Sequence, residues 1–336
     1  MGVLDACSSE RKRPMNYFTL NRTGSVSTLS LHHPPANFLT TDVLIELSDH
    51  LDALDRDPQV RAVVLASSIP DVFASHYDVG ELLSYARASG VSIDPATARM
   101  ALGVVSTIGR IPGLRAVLRS NQFTGVMALL RYHSIIERMR SSSTVFVAAV
   151  DGTAFGGGLE LALACDIRLI TESSRVGLPE VAIGIMPGAG GIQSLLPTLG
   201  TSRTLELVLT ARPLDAEEAV RLGIFHTLTT PDKLLAAAQE VAEQISRRPG
   251  PLVRAIKGSV YSHDRTPHRR AARFEQSEFM SLMSKRSART AMEQYARDVA
   301  DLETITAATP FGERLYDQVL SHWIQGRRPA EHYPSN

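Results

Sequence analysis

The chain has 336 residues, 44% hydrophobic and 21% charged, with 35 Lys and Arg against 35 Asp and Glu. That length holds one large domain, or one domain and a smaller one, and the composition is that of an ordinary soluble globular protein. Balanced charge gives no reason to expect nucleic acid or an anionic membrane as the main partner, and no apolar run approaches the roughly 18 residues of a membrane span.

Residues 1–16 read as a polar tail and not as a secretory signal. Tyr17–Asn21, a turn at Thr23-Gly24 and Val26–Leu31 predict a hairpin. After Pro34-Pro35, Thr40 or Thr41 caps a helix with Val43, Leu44, Leu47, Leu51 and Leu54 on one face. Val60–Ala66 is a near-continuous apolar run, hence a buried strand. Residues 81–140 are helical in pattern, interrupted at Gly90, Asp94-Pro95 and Ile111-Pro112-Gly113. A strand over 144–150, a glycine loop, a helix from about Gly157 to Ala164 and a strand over Ile167–Thr171 follow. Beyond Gly191 the pattern is helical to the end. Asp215 caps one helix there, with Glu218 making a capping-box-like pair, and Pro231 opens the next. The recurrence of strand, glycine turn and helix predicts stacked turns of mixed α and β structure rather than a separate nucleotide domain. Cys7 and Cys165 make neither a disulfide framework nor a zinc signature, so a reducing compartment and no metal are expected.

Two carboxylates stand beside glycine-rich backbone. Gly156-Gly157-Gly158-Leu159-Glu160 follows the strand over 144–150. Three glycines leave backbone N–H groups unobstructed, and a helix start adds positive potential, which suits an anion or a developing oxyanion. The same triplet equally allows close packing of helix on strand, with Glu160 as a first-turn acid. Glu180 precedes the apolar run Val181–Met186. It reads either as a buried partner to Glu160, one acid and one base around a water, or as a cap for a helix beginning after Pro187. Gly188-Ala189-Gly190-Gly191 is not a dinucleotide fingerprint, because position 193 is Gln and no βαβ unit surrounds it.

The run from Ala148-Ala149-Val150-Asp151-Gly152 through Gly156-Gly157-Gly158-Leu159-Glu160 to Cys165-Asp166 resembles the enoyl-CoA hydratase/isomerase (crotonase) signature. So does Leu178-Pro179-Glu180 through Gly184 to Pro187–Gly191, and Arg212–Gly223 is similar to the helix before the family's C-terminal segment. The resemblance covers about residues 17–260. It implies an α/β (mixed α+β) fold: a spiral of ββα turns over 17–225, with a helical insertion within about 81–140. A helical C-terminal region over 226–336 would mediate trimers or pairs of trimers.

The resemblance also implies acyl-CoA thioesters as substrates, with coenzyme A arriving as part of the substrate and no permanently bound cofactor. Gly157 and Tyr77 match the two oxyanion-hole N–H donors, and Glu160 and Glu180 match the hydratase glutamates. Ala36, Ser75, His76, Asp78, Val79, Gly156 and Gly188 fall at substrate-binding positions. With both glutamates present, the implied activity is syn hydration of a trans-2-enoyl-CoA, a lyase reaction. The alternatives are a double-bond isomerase, a specialised thioester lyase or hydrolase using His76, and a non-catalytic acyl-CoA-binding scaffold. Cytoplasm, mitochondrion and peroxisome are not distinguished. The chain departs from the pattern in three ways: bulky His76-Tyr77 replaces small residues, Asp151 replaces a common Asn, and about thirty-five extra residues lie between Asp78 and Ala149. Leu102, Val105, Ile108, Leu114, Val117 and Leu118 of that stretch are candidates for a lid over the acyl group, or for an extra helical layer.

Overall fold

The hairpin strands β1 (Phe18–Thr23) and β2 (Val26–Leu31) pair antiparallel around Gly24. The computed structural model describes residues 16–89, 93–108, 124–262, 273, 276–303 and 311–324; the polar tail and the Ile111-Pro112-Gly113 break lie outside them. Helix α1 (Thr41–Arg56) starts where Thr40 Oγ1 accepts from the Val43 N–H, and its buried residues are the five of the predicted face. Strand β3 (Ala62–Ser67) is buried on both faces, as its apolar run requires.

From here the chain repeats a unit: a strand in a large sheet, a short strand in a small sheet, then helix. The turns are β3 then β4 (Val72–Ala74), β5 (Val145–Val150) then β6 (Thr153–Phe155), and β7 (Ile167–Thr171) then β8 (Arg175–Gly177). With β9 (Leu214–Asp215) and β10 (Thr227–Thr229), the large sheet runs β1-β2-β3-β5-β7-β10 and the small one β4-β6-β8-β9. Within the spiral every pairing is parallel. This is the expected spiral of ββα turns. Helices α2 (Val79–Ser89), α3 (Pro95–Ile108) and α4 (Thr124–Ser141) fill the first turn, and α5 (Gly157–Ala164) the second. The largest core cluster lies among the sheets, α1, α4 and α5.

The region after Gly191 is not wholly helical. After α6 (Gly191–Thr210), Leu214-Asp215 form β9 on β8, and Thr227–Thr229 form β10 on β7. Both strands are too short for a period-two pattern to register. Asp215 caps α7 (Ala216–Arg221) through the Glu218 N–H, but the Glu218 carboxylate pairs with Arg212 instead of closing a capping box. Pro231 opens α8 (Pro231–Ser246), which packs on the large sheet, and α9 (Gly250–Ser262) follows. Residues 276–283 (α10), α11 (Arg286–Glu303), α12 (Phe311–Arg314), a π-helical stretch (Leu315–Leu320) and α13 (Ser321–Ile324) build a second core with α2 and α3. Among the described residues no helix is long and apolar enough to cross a membrane.

One buried cation ties these layers together. Lys257 Nζ on α9 donates to the carbonyls of Met139 and Thr144, both at 2.8 Å, and to Asp166 Oδ2 at 2.7 Å. Asp166 in turn accepts from the Phe146 N–H and the Tyr261 hydroxyl. Removing the ammonium leaves a largely buried carboxylate and two carbonyls uncompensated. Lys257→Ala is therefore expected to lose about 3 kcal/mol of unfolding free energy in a urea titration. A loss within experimental error would contradict this account of the packing.

Candidate active site

The three parallel strands of the small sheet deliver the site at their C-terminal ends, where crevices form in α/β sheets. After β4 comes the loop Ser75–Asp78, after β6 the glycine triplet, and after β8 Leu178-Pro179 and Glu180. Glu180 opens a 3-10 turn, Glu180–Ile183, and does not cap the helix after Pro187, which starts only at Gly191.

Each glycine of the triplet has its own task. Gly156 has φ of 48°, and a Cβ on it would lie 2.9 Å from Glu180 Oε1. Gly158 packs α5 onto β4: a Cβ there would lie 1.8 Å from the Ala74 carbonyl oxygen. Gly157 is the first residue of α5, where no intrahelical carbonyl reaches its N–H. Its Cβ position is 3.4 Å from the Tyr77 nitrogen. Tyr77 itself sits in a bridge with Leu39 that uses the His76 carbonyl and the Asp78 N–H, which leaves the Tyr77 N–H outside it. Two backbone donors thus lie side by side on one wall. The packing reading of the triplet holds at Gly158, and the Gly157 N–H is left outside the helix's own hydrogen bonds.

Glu160 and Glu180 line the same cavity. Glu160 is 4% exposed, and its Oε1 accepts from the N–H groups of Ala189 at 2.9 Å and Gly191 at 2.8 Å. Glu180 has less help: its Oε2 is buried without a hydrogen-bond partner. Burial pushes the Glu160 carboxyl up to about 7, and the two N–H donors hold it from rising further. Burial, then the neighbouring Glu160 charge, push Glu180 well above the ordinary carboxylate range. Glu160 therefore gives up its proton before Glu180 as pH rises.

His76 is tied on both sides. Its Nδ1 is 2.8 Å from the Tyr77 carbonyl and must donate, so Nε2 accepts from the Tyr295 hydroxyl at 2.8 Å. Burial lowers its pKa, and the ring stays neutral. The bulky Tyr77 side chain reaches α1, its hydroxyl 3.1 Å from Thr41 Oγ1.

Of the predicted site residues, Glu160, Glu180, Tyr77, Gly157, His76, Val79, Gly156 and Gly188 line this cavity. Ala36, Ser75 and Asp78 do not. Ala36 and Ser75 are fully buried, with the Ala36 carbonyl accepting from the Ser75 N–H, and Asp78 starts α2 by accepting from the Glu81 N–H. Leu102 and Val105 are buried in α3, away from the lining. Leu114, Val117, Leu118 and the side chain of Ile108 lie outside the description. Sequence reasoning missed Tyr132, whose hydroxyl donates to the Gly157 carbonyl, and the wall of Phe279, Met280, Met283, Tyr295 and Trp323. The Ala189–Gly191 turn was read as part of the family signature and excluded as a nucleotide fingerprint, but not as the N–H pair that holds Glu160. Among the described residues no group of three His, Cys, Asp or Glu side chains gathers to hold a metal.

The family model described as enoyl-CoA hydratase/isomerase matches residues 21–98 and 122–300. The chain belongs to this family. Members of this family act on acyl-CoA thioesters, and the gap in the match, 99–121, falls inside the expected insertion. A Bacillus subtilis protein named "Probable enoyl-CoA hydratase" is 30% identical over 266 residues, covering 77% of this chain and 90% of that protein. A Clostridium acetobutylicum short-chain-enoyl-CoA hydratase is 26% identical, covering 83% and 94%. The crystal structure of an enoyl-CoA hydratase from Bacillus halodurans shares the fold, with a TM-score of 0.68 at 18% identity, over 83% of this chain and 99% of that one.

The split of the glutamates has a thermodynamic consequence. The folded Glu160 carboxyl binds its proton more firmly than the unfolded one, so its ionisation opposes folding. Stability contributed by the protonated form is complete below pH 4.5 and is lost as pH rises to about 7. Glu160→Gln is thus expected to gain on the native protein across that window, by up to about 3 kcal/mol, and to hold a constant difference above it. Chemical unfolding at several pH values measures this, and a difference independent of pH would contradict the raised pKa.

Proposed function

We propose that this protein catalyses the reversible syn addition of water to a trans-2-enoyl-CoA, giving the 3-hydroxyacyl-CoA. The carrying observation is the unequal pair: two buried carboxyls in one cavity, one accepting from the N–H groups of Ala189 and Gly191 and the other with an oxygen left unpartnered. Ionised Glu160 takes a proton from water as the water oxygen bonds to C3. The C2=C3 electrons move toward the thioester, whose oxygen gains enolate charge beside the N–H groups of Tyr77 and Gly157. Protonated Glu180 then delivers its proton to C2, and the enolate electrons form the C2–H bond. The proton gained by Glu160 and that lost by Glu180 balance, and exchange between the carboxyls resets the site.

The magnitudes are adequate to the task. One oxyanion donor is worth about 3 kcal/mol in acyl chemistry, and a placed acid or base about 10²- to 10⁴-fold. The doubly engaged neutral His76 speaks against a lyase or hydrolase that uses it as an acid or base. No resident cofactor takes part in this reading, and coenzyme A enters as part of the substrate. The proposed assembly is a trimer or a pair of trimers, which would cover exposed apolar residues of α6 and α9 such as Leu205, Leu209, Ile256 and Val260.

Glu160→Gln and Glu180→Gln are each expected to lower kcat on trans-2-enoyl-CoAs by about 10³-fold, with acyl-CoA affinity little changed. Normal turnover in both variants would refute the paired mechanism. Wild-type protein that binds acyl-CoA yet converts no thioester would be a non-catalytic acyl-CoA binder instead.

A further inference from the structure

Bulky His76 stands where the family pattern has a small residue, and its ring is engaged at both nitrogens. What it engages bears on the neighbouring Tyr77 N–H. A trans peptide carries its carbonyl and its N–H on opposite sides. The His76 carbonyl accepts from the Leu39 N–H at 2.9 Å, so the N–H of the same peptide, that of Tyr77, is turned away from Leu39. Gly157 lies on that side. In the next peptide the Asp78 N–H donates to the Leu39 carbonyl at 2.8 Å, which turns the Tyr77 carbonyl away from Leu39 as well. That carbonyl accepts from His76 Nδ1 at 2.8 Å. Leu39 thus holds one edge of the two peptides, and a side chain holds the other.

The His76 ring is itself fixed from a distant element. It is buried, with Phe38 at 4.9 Å and Tyr295 at 5.6 Å between ring centroids. With Nδ1 donating, Nε2 is an acceptor, and the hydroxyl of Tyr295, 219 residues further along the chain, fills it at 2.8 Å. Tyr295 packs edge-to-face on Trp323 at 5.8 Å, and the Trp323 indole donates to Asp298. The bonds run in one direction, from the Tyr295 hydroxyl to Nε2 and from Nδ1 to the Tyr77 carbonyl. A proton donated to Nε2 makes the Nδ1–H a stronger donor, so the two bonds reinforce each other.

Resting on the oxyanion role given above to the Tyr77 N–H, we propose that His76 and Tyr295 are positioning residues for that donor. Tyr295 on α11 holds the imidazole, and the imidazole holds the peptide that follows Tyr77. With both flanking peptides fixed, the Tyr77 N–H stays beside that of Gly157. Neither side chain moves a proton in the reaction. Their contribution is rigidity, because an oxyanion donor is effective only when it is aimed before charge develops.

The test uses Tyr295→Phe, His76→Leu and the double variant. Three quantities are measured: kcat and KM on a trans-2-enoyl-CoA, stability in urea, and the infrared frequency of a ¹³C-labelled thioester carbonyl in a bound saturated acyl-CoA. On the wild-type protein the carbonyl should move to lower frequency than in water. Tyr295→Phe should shrink that movement and lower kcat about tenfold, with KM little changed. His76→Leu should lower kcat about 10²-fold. Each single variant leaves a buried polar atom unpartnered, whereas the double variant removes both partners and should regain stability. Its kcat and carbonyl frequency should nevertheless stay at the His76→Leu level. Activity recovering together with stability in the double variant would mark the pair as merely structural and overturn the proposal. Unchanged kcat and frequency in Tyr295→Phe would overturn it too. A wild-type carbonyl that does not move would instead remove the oxyanion wall, and the proposal with it. If no thioester turns over, the frequencies decide alone: a wild-type movement that shrinks in the variants upholds the proposal, and one that persists overturns it.

Discussion

Two carboxyl groups cannot both be charged in one apolar cavity, and most of the architecture around this site follows from how that conflict is resolved. The Ala189 and Gly191 N–H groups solvate Glu160 in place of water. Nothing solvates Glu180 Oε2, so its proton stays. The turn that supplies the two N–H groups must come very close to the acid: a Cβ on Gly191 would be 3.0 Å from Glu160 Oε1. The other acid needs the same kind of space at Gly156. Chemistry and backbone composition are therefore one constraint, met at two glycines on either side of the cavity.

The spiral explains why the parts meet. Each turn of chain ends a short strand at the same edge of the small sheet, so residues near 76, 157 and 180 become neighbours without any local sequence contact. The C-terminal helices then close the far side. Tyr295 on α11 meets His76, and Trp323 on α13 donates to Asp298 on α11, so α11 is bonded both to the loop that carries Tyr77 and to α13.

Much of this was legible in the residues. The Thr40 cap and five leucine and valine positions defined α1, and the apolar runs at 60–66 and 144–150 pointed to two central strands, found at 62–67 and 145–150. The glycine triplet and Glu160 marked the start of α5 correctly, because helix start signals are local. The three-residue strands β4, β6 and β8 were not legible: too short for periodicity, they exist through tertiary pairing. The same holds for β9 and β10 in a region read as helical. The cavity wall was illegible for a different reason. A stripe of Phe279, Met280 and Met283 looks like any buried helix face, and only three-dimensional packing shows that it faces a cavity. Asp78 misled in the opposite direction, since a polar residue beside the site turned out to start a helix.

The account stands or falls on the protonation states of the two glutamates in the free protein. Carboxyl resonances of protein labelled with ¹³C at the glutamate side chain, assigned through single Gln variants and followed across pH, read those states directly. The account predicts that Glu160 ionises first, near pH 7, while Glu180 remains protonated well above it. Glu180 ionising before Glu160, or both carboxylates charged at mildly acidic pH, would contradict it.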